Sequence, residues 1–379
     1  MNNGMRVGTL LNTFKLIPKI LQDTLILDPH LHHQRLRRRM GNVMLKLGGR
    51  CLSGIYHGPQ VPPEKLLSMF NLENQIEELR NAGAEHFEFD DDIIFLRPEI
   101  ARWWQDKIPY LKRLREEGVT FSEHLSQFGG LQVDSFIPEI RRASVQAIGR
   151  MVKLFEPLEP LNYVLHLGGD RFFRYLNTHA IDPVLRQELD KIFPRSPLKK
   201  YGLRKFIQVL VWWTQHHANS TIVIPSVLEA MAELKKIIPT AKICLENLEY
   251  SDFDIMADVV TKKTDVHICF DVGHDVIRNG FGHSRKFILK HGQKIAQVHL
   301  HDIRKIAVTH YPSGFKEPVF QDHKPLGEGS LDLKKDVLLP LKQVGFSGPI
   351  VIEDYYHDPL PSVKILRQAV DEINRTTVP

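Results

Sequence analysis

From about residue 50 onward, short runs rich in apolar and β-branched residues alternate with longer stretches whose apolar positions recur every three or four residues. The short runs are CLSGIYH (51–57), HFEF (86–89), VTFSEHL (119–125), NYVLHLGG (162–169), KICLENL (242–248), VHICFDVGH (266–274), AQVHLHD (296–302) and PIVIEDYY (349–356). The longer stretches include 63–82, 99–117, 139–155 and 227–238. The first pattern suits strands and the second amphipathic helices. Strands alternating with helices imply parallel βαβ units. Eight of them predict an α/β chain closed as a (β/α)8 TIM barrel. A doubly wound open sheet is the competing arrangement, but no G-x-G-x-x-G follows the first strand.

Two regions break the repeat. Residues 1–50 precede the first run and carry the basic cluster RLRRRM (35–40), so they read as an N-terminal extension to a barrel over 51–379. A long insert at about 171–224 follows the fourth strand and contains HAIDPVLRQELDKIFPRS and FIQVLVWWTQ. Loops after barrel strands lie over the face where chemistry occurs, which makes this insert a candidate lid. Its Trp212 and Trp213 read as packing residues.

The ends of the strands carry the chemistry. The apolar run ICF stops at Asp271, and His274 follows three residues later. A carboxylate at the end of a buried strand is costly unless it is paired or binds a metal. Its counterparts are His124 on the third strand, His166 on the fourth, Glu246 on the fifth, His299, His301 and Asp302 on the seventh, and Glu353 on the eighth. The loop after the seventh strand adds Asp322 and His323 in QDHKPLGEG. Taken singly, each has an ordinary explanation, such as a helix cap or a hydrogen-bonded core histidine. Six consecutive strands ending this way, with little Lys or Arg nearby, are explained by a cation that relieves the repulsion of the acids. Imidazole and carboxylate together suit Zn²⁺, Mn²⁺ or Fe²⁺. Cys244 and Cys269 share the parity of Glu246 and Asp271 but lie one layer deeper, and read as core.

Composition changes this picture little. Hydrophobic residues make up 42% and charged residues 25%, with a formal net charge of +5, so an anionic substrate is allowed and nucleic acid is not demanded. Three cysteines without paired spacing argue against a disulfide framework and for a reducing compartment, the cytoplasm. The N-terminal apolar residues are interrupted by Asn12, Lys15, Pro18 and Lys19, unlike a signal peptide, and no apolar run approaches the ~20 residues of a membrane span. Oligomeric state leaves no trace.

The strand-end residues resemble those of the xylose isomerase-like barrel superfamily (AP endonuclease family 2), in the branch that holds sugar phosphate isomerases/epimerases and endonuclease IV-like enzymes. The similarity runs over roughly residues 50–375. It implies a core ligand set of Glu246, Asp271, His299 and Glu353, with the D-x-x-H element at Asp271 and His274, H-x-x-D at His299 and Asp302, and G-E-G at Gly327–Gly329. The endonuclease IV-like members hold three zinc ions. Their early histidines match His124 and His166, and a later one matches His323, but Gln321 stands where they have an acid, with Asp322 adjacent.

Two reactions follow. One is hydrolysis of a small-molecule phosphodiester by two or three ions, with His124 and His166 completing a site. The other is isomerisation or epimerisation of a sugar or sugar phosphate by one ion, with Glu246 and Glu353 as the catalytic acid–base pair. In the latter, His274 would bind a substrate hydroxyl; in either, His301, Asp302 and Asp322 are the expected substrate contacts. Either way the expected cofactor is Zn or Mn, one to three ions, and the partner a small phosphorylated or sugar-like molecule. Nucleic acid is not favoured, because the nuclease members' DNA-gripping sequences are not recognisable here. A binding protein built on a relict barrel is the non-enzymatic alternative. It expects gaps in the core ligand set, and there are none.

Overall fold

Strands that are apolar on both faces need cover on both, and this chain supplies it by closing its sheet on itself. The computed structural model describes residues 6–11, 71–90, 98–125, 131–133, 135, 137–166, 224–240, 242–249, 253–310, 316–354 and 357–375. Within them, ten strands run in chain order. These are β1 (Arg6–Leu11), β2 (His86–Asp90), β3 (Thr120–His124), β4 (Tyr163–His166), β5 (Ile243–Glu246), β6 (His267–Asp271), β7 (Ile295–Leu300), β8 (Asp302–His310), β9 (Lys316–Lys324) and β10 (Pro349–Ile352). Eight of them form a closed parallel barrel in the order β1-β10-β7-β6-β5-β4-β3-β2, so the (β/α)8 expectation holds.

The helices are α1 (Leu72–Asn81), α2 (Pro98–Glu116), α3 (Pro138–Phe155), α4 (Ile224–Ile237), α5 (Phe253–Lys263), α6 (Val272–Asn279), α7 (His283–His291), α8 (Leu339–Gln343) and α9 (Leu360–Arg375). Each packs an apolar stripe inward. Helix α3 begins with Pro138, whose missing N–H is unneeded in a first turn. It buries Val145, Ile148, Val152 and Phe155, spaced three or four apart. Helix α9 does the same with Val363, Leu366, Val370 and Ile373. Among the described residues, no helix is long and apolar enough to cross a membrane.

Strand parity separates two interiors. Phe87, Phe89, Phe121, Leu165, Leu245, Phe270, Val298 and Ile352 join the large core shared with the helices. The alternate positions face the barrel axis, where the apolar content is slight: Val164, Cys244 and Cys269 form a small cluster with Ala296 beside it. Around that cluster the buried residues are polar, among them His86, Glu88, Ser122, Asn162, Gln297 and His299. A barrel of this type is ordinarily filled with Val, Ile and Leu, so this polar filling demands hydrogen-bond partners.

The structure corrects two boundaries. Arg6–Leu11, inside the expected extension 1–50, is a barrel strand that pairs β10 on one side and β2 on the other. CLSGIYH, expected to be the first strand, lies outside the described residues, as do Trp212, Trp213 and the insert except for Ile224, which starts α4. RVGTLL is six residues with a glycine inside, too short a pattern to stand out without its neighbours. The second correction follows β7. The expected loop is an antiparallel ribbon in which β8 and β9 pair from Asp302↔Lys324 to His310↔Lys316.

Phe270 stacks on Phe287 at 4.4 Å in the helix-side core. Phe270→Ala is expected to cost about 3–5 kcal/mol by denaturant unfolding. Because the ring faces away from the axis, the geometry at Asp271 should survive, as read by spectra of a bound Co²⁺ probe.

Candidate metal centre

The residues that parity aims at the axis meet at the C-terminal mouth of the barrel. Glu246, at the end of β5, is at the middle of the group. Its Oε2 lies 2.8 Å from His166 Nε2 and 3.0 Å from His124 Nε2, while its Oε1 lies 3.0 Å from His299 Nδ1. One carboxylate therefore faces two clusters. Candidate ligand atoms of His124, His166 and Glu246 lie within 4.8 Å of one another, and so do those of Glu246, Asp271, His299 and Glu353. His299 Nδ1 is also 3.0 Å from Glu353 Oε1. A third cluster consists of His274, His301 and His323.

Local sequence explains these positions. Asp271 ends β6 and caps α6, its Oδ1 accepting from the backbone N–H of His274 at 2.6 Å. That cap turns His274 back over the mouth. Asn247 clamps the same strand end in both directions, donating to Asp271 O at 2.7 Å and accepting from Asp271 N at 2.8 Å. Glu353 follows β10 directly, and its backbone N–H donates to Leu300 O. His323 adopts a left-handed backbone, φ 50°, rare for a residue with a side chain. His301 supports it: its Nδ1 accepts the His323 N–H at 2.9 Å, and the two rings stack at 4.0 Å. On its other side His301 Nε2 faces Asp271 Oδ1 at 3.4 Å.

The expected substrate contacts fall differently. His301 is buried within the third cluster. Asp302 holds the turn at Gly327–Gly329: Oδ2 accepts from Gly327 N and Gly329 N, each at 2.9 Å, and Oδ1 from Ile303 N and Leu331 N. Its carboxylate is thus engaged by backbone, and the expected substrate contact gives way to a structural one. Asp322 is half exposed, 3.3 Å from His323 Nδ1. Gln321 is exposed, and the ring of His301 lies against that of His323.

Sequence reasoning missed Glu88. It is fully buried, with Oε1 2.9 Å from His299 Nε2 and Oε2 accepting from Ser122 Oγ at 2.6 Å. The signal was present in HFEFD, where His86 and Glu88 alternate with phenylalanines and so share the inward face.

Burial presses on every one of these groups. It lowers the pKa of His166 despite Glu246, and that of His323, with His301 beside it adding to the effect, so both imidazoles favour the neutral form. Burial pushes Glu246 and Glu353 upward, but neighbouring histidines, His166 and His299 for the first and His299 for the second, outweigh it and hold both well below the usual range. For His299, burial opposes the charge, yet the carboxylates of Glu353, Glu246 and Glu88 together raise the pKa well above normal. Burial, with the charge of Glu88 adding to it, drives Cys244 up to about 12, and burial with Glu246 and Glu88 drives Cys269 well above its ordinary value, so both thiols stay protonated.

The donor set fits divalent cations. Acids crowd together whose ion pairs run to histidines, and Asp271 Oδ2 is buried with no hydrogen-bond partner. Converging carboxylates and neutral imidazoles, with an unpartnered oxygen among them, are what a cation-binding pocket needs.

A family model described as xylose isomerase-like TIM barrel matches residues 76–376. Among curated proteins no match was found. Solved structures similar to the chain include a xylose isomerase domain protein from Planctomyces limnophilus, 13% identical with a TM-score of 0.50, covering 79% of this chain and 93% of that one. A D-tagatose 3-epimerase-like protein is 19% identical with a TM-score of 0.49, covering 79% and 93%. An IOLI protein with a bound zinc atom is 15% identical with a TM-score of 0.48, covering 80% and 91%. The first of these likenesses bears on the fold alone.

A Cβ at position 273 would overlap the His301 ring. Gly273→Ala is therefore expected to displace His301 from between residue 273 and His323. The change should appear as a moved His301 imidazole resonance and a lower melting temperature. An unmoved resonance would show that the close approach is not real.

Proposed function

We take as premise that the chain belongs to the xylose isomerase-like TIM barrel family, and we propose that it is a divalent-metal-dependent hydrolase of a small-molecule phosphodiester. The observation that carries this reading is the division of Glu246 between two clusters, one oxygen toward His124 and His166 and the other toward His299. A carboxylate in that position suits two cations side by side, and His274, His301 and His323 offer a third place. His124, His166 and Glu246 would hold one ion, and Glu246, Asp271, His299 and Glu353 another. Bound there, Zn²⁺ or Mn²⁺ supplies positive charge for a phosphoryl group and acidifies a water.

The residues do the rest. Asn247 and the α6 cap fix Asp271, whose Oδ2 stays buried without a hydrogen-bond partner. Glu353 and Glu246 are held as carboxylates, the form in which they would anchor the cations. His166, the least buried of the first cluster, marks the side from which a substrate enters. A phosphodiester anion would be repelled by this set of acids alone, which makes neutralisation the condition for binding.

A second reading is sugar or sugar-phosphate epimerisation or isomerisation. The cluster of Glu246, Asp271, His299 and Glu353 is by itself sufficient for one ion with two glutamates as acid and base. The activities named for the similar structures stand nearer to this reading.

Elemental analysis separates the two. The hydrolase is expected to carry two or three ions per chain and to cleave bis-p-nitrophenyl phosphate. A His124→Ala/His166→Ala variant should lose one ion together with that activity. One ion per chain, an intact ester, and exchange of a sugar's α-proton with solvent would establish the epimerase instead.

The sign of the pH dependence also follows. Ligating imidazoles must be deprotonated, and the raised pKa of His299 means its proton has to leave when metal binds at neutral pH. Apparent Zn²⁺ affinity, measured by chelator competition, should climb from pH 6 to 8, with protons released in weak buffer. Affinity independent of pH would exclude His299 as a ligand.

A further inference from the structure

Below the mouth of the barrel lies a buried polar network that neither proposed reaction uses. It begins with His86, whose Nδ1 is 2.9 Å from Thr120 Oγ1 and whose Nε2 is 2.9 Å from Ser122 Oγ. Ser122 Oγ donates to Glu88 Oε2 at 2.6 Å. Gln297 Nε2 donates to the same oxygen, and Gln297 Oε1 accepts from Asn162 Nδ2 at 3.0 Å. The other oxygen of Glu88 meets His299 Nε2 at 2.9 Å. Three strands, β2, β3 and β7, and Asn162 just before β4 thus contribute to one network around a fully buried carboxylate.

Such a carboxylate is expensive to keep in a barrel floor. A leucine or valine would fill the position and match the usual interior of this fold. Satisfying Glu88 also obliges Ser122 and Gln297 to be polar, and they in turn engage His86 and Asn162. What the arrangement achieves is visible at its upper end. His299 has two ring nitrogens, and Glu88 engages Nε2 from below. Nδ1 is left facing Glu246 and Glu353, 3.0 Å from each.

We propose that Glu88 is the positioning residue of the metal centre, holding His299 by its Nε2–H so that Nδ1 is the nitrogen presented to the ion. A carboxylate behind a ligating imidazole fixes its tautomer and orientation and makes it a better donor. Ser122 and Gln297 serve Glu88 as Glu88 serves His299. They hold the carboxylate by Oε2, so that Oε1 meets the ring, and Gln297 Nε2 itself lies 3.0 Å from His299 Nε2. Glu88 has an oxygen close enough to join a cluster with His124, His299 and Glu353. However, that oxygen faces Nε2, on the opposite side of the ring from Glu246.

This inference rests on the reading of His299 as a ligand, and the test keeps the two apart. The full-length protein would be stripped and reloaded with Zn²⁺ for affinity, by chelator competition, and with Co²⁺ for its visible spectrum. Glu88→Gln keeps the volume and the network's shape while removing the charge. It is expected to weaken the tightest Zn²⁺ site about 10–100-fold while leaving the Co²⁺ band pattern, and hence the ligand number, as in wild type. Ser122→Ala should weaken it less, in the same direction, and serves if Glu88→Gln does not fold. Unchanged affinity in a folded variant would overturn the positioning role. So would a changed Co²⁺ coordination pattern, which would make Glu88 a ligand. A wild type that takes up neither ion would overturn the metal reading itself.

Discussion

The constraint on which everything else depends is electrostatic. Glu246, Asp271 and Glu353 are brought into one enclosed space at the mouth of the barrel, with Glu88 just beneath. Buried like charges at such separations must either share protons or have positive charge among them. Without a cation, the histidines carry that charge, and this is why His299 holds its proton so strongly. A divalent ion would take over that role and release the proton. The imidazoles therefore act in two ways, as counter-charges in one state and as ligands in the other. The surrounding structure has to keep the same geometry in both.

That requirement explains where rigidity is concentrated. Asp271 is clamped by Asn247 and by the start of α6, and His323 is held in a left-handed conformation by the ring of His301. Asp302 secures the turn below with four backbone N–H groups. Asn247 and Asp302 add no group to the clusters themselves, whereas His301 both supports His323 and belongs to a cluster with it. They keep repelling groups from moving apart. Much of the polar chemistry that the sequence displays is thus devoted to holding other polar groups in place.

The fold and most of the centre were legible in the sequence because strand periodicity is strict. Alternation in CLENL, ICFDVGH and VHLHD places Glu246, Asp271 and His299 on one side with no knowledge of the fold beyond its class. What alternation cannot reveal is which polar residue supports and which could bind. Asp302 and His301 look alike as donors, and only their neighbours separate a turn holder from a ring that stacks on His323. Glu88 was overlooked for a related reason. It sits in the middle of its strand, below the level where ligands are sought. Arg6–Leu11 was missed because a six-residue strand has meaning only beside its partners, and these lie at the two far ends of the described chain.

That closing strand bears on how the molecule comes into being. Arg6 lies opposite Pro349, and Gly8 opposite both Val351 and His86. A ribosome must deliver everything from Arg6 to Ile352 before the sheet's open edge can be sealed, and topologies with such distant pairings fold slowly and expose unpaired strands while they wait. Glu353 emerges directly after β10, so the same late event that removes the edge also delivers the last acid of the centre. Newly made chains would then spend their most adhesive interval with the group of Glu246, Asp271 and His299 still lacking its fourth member.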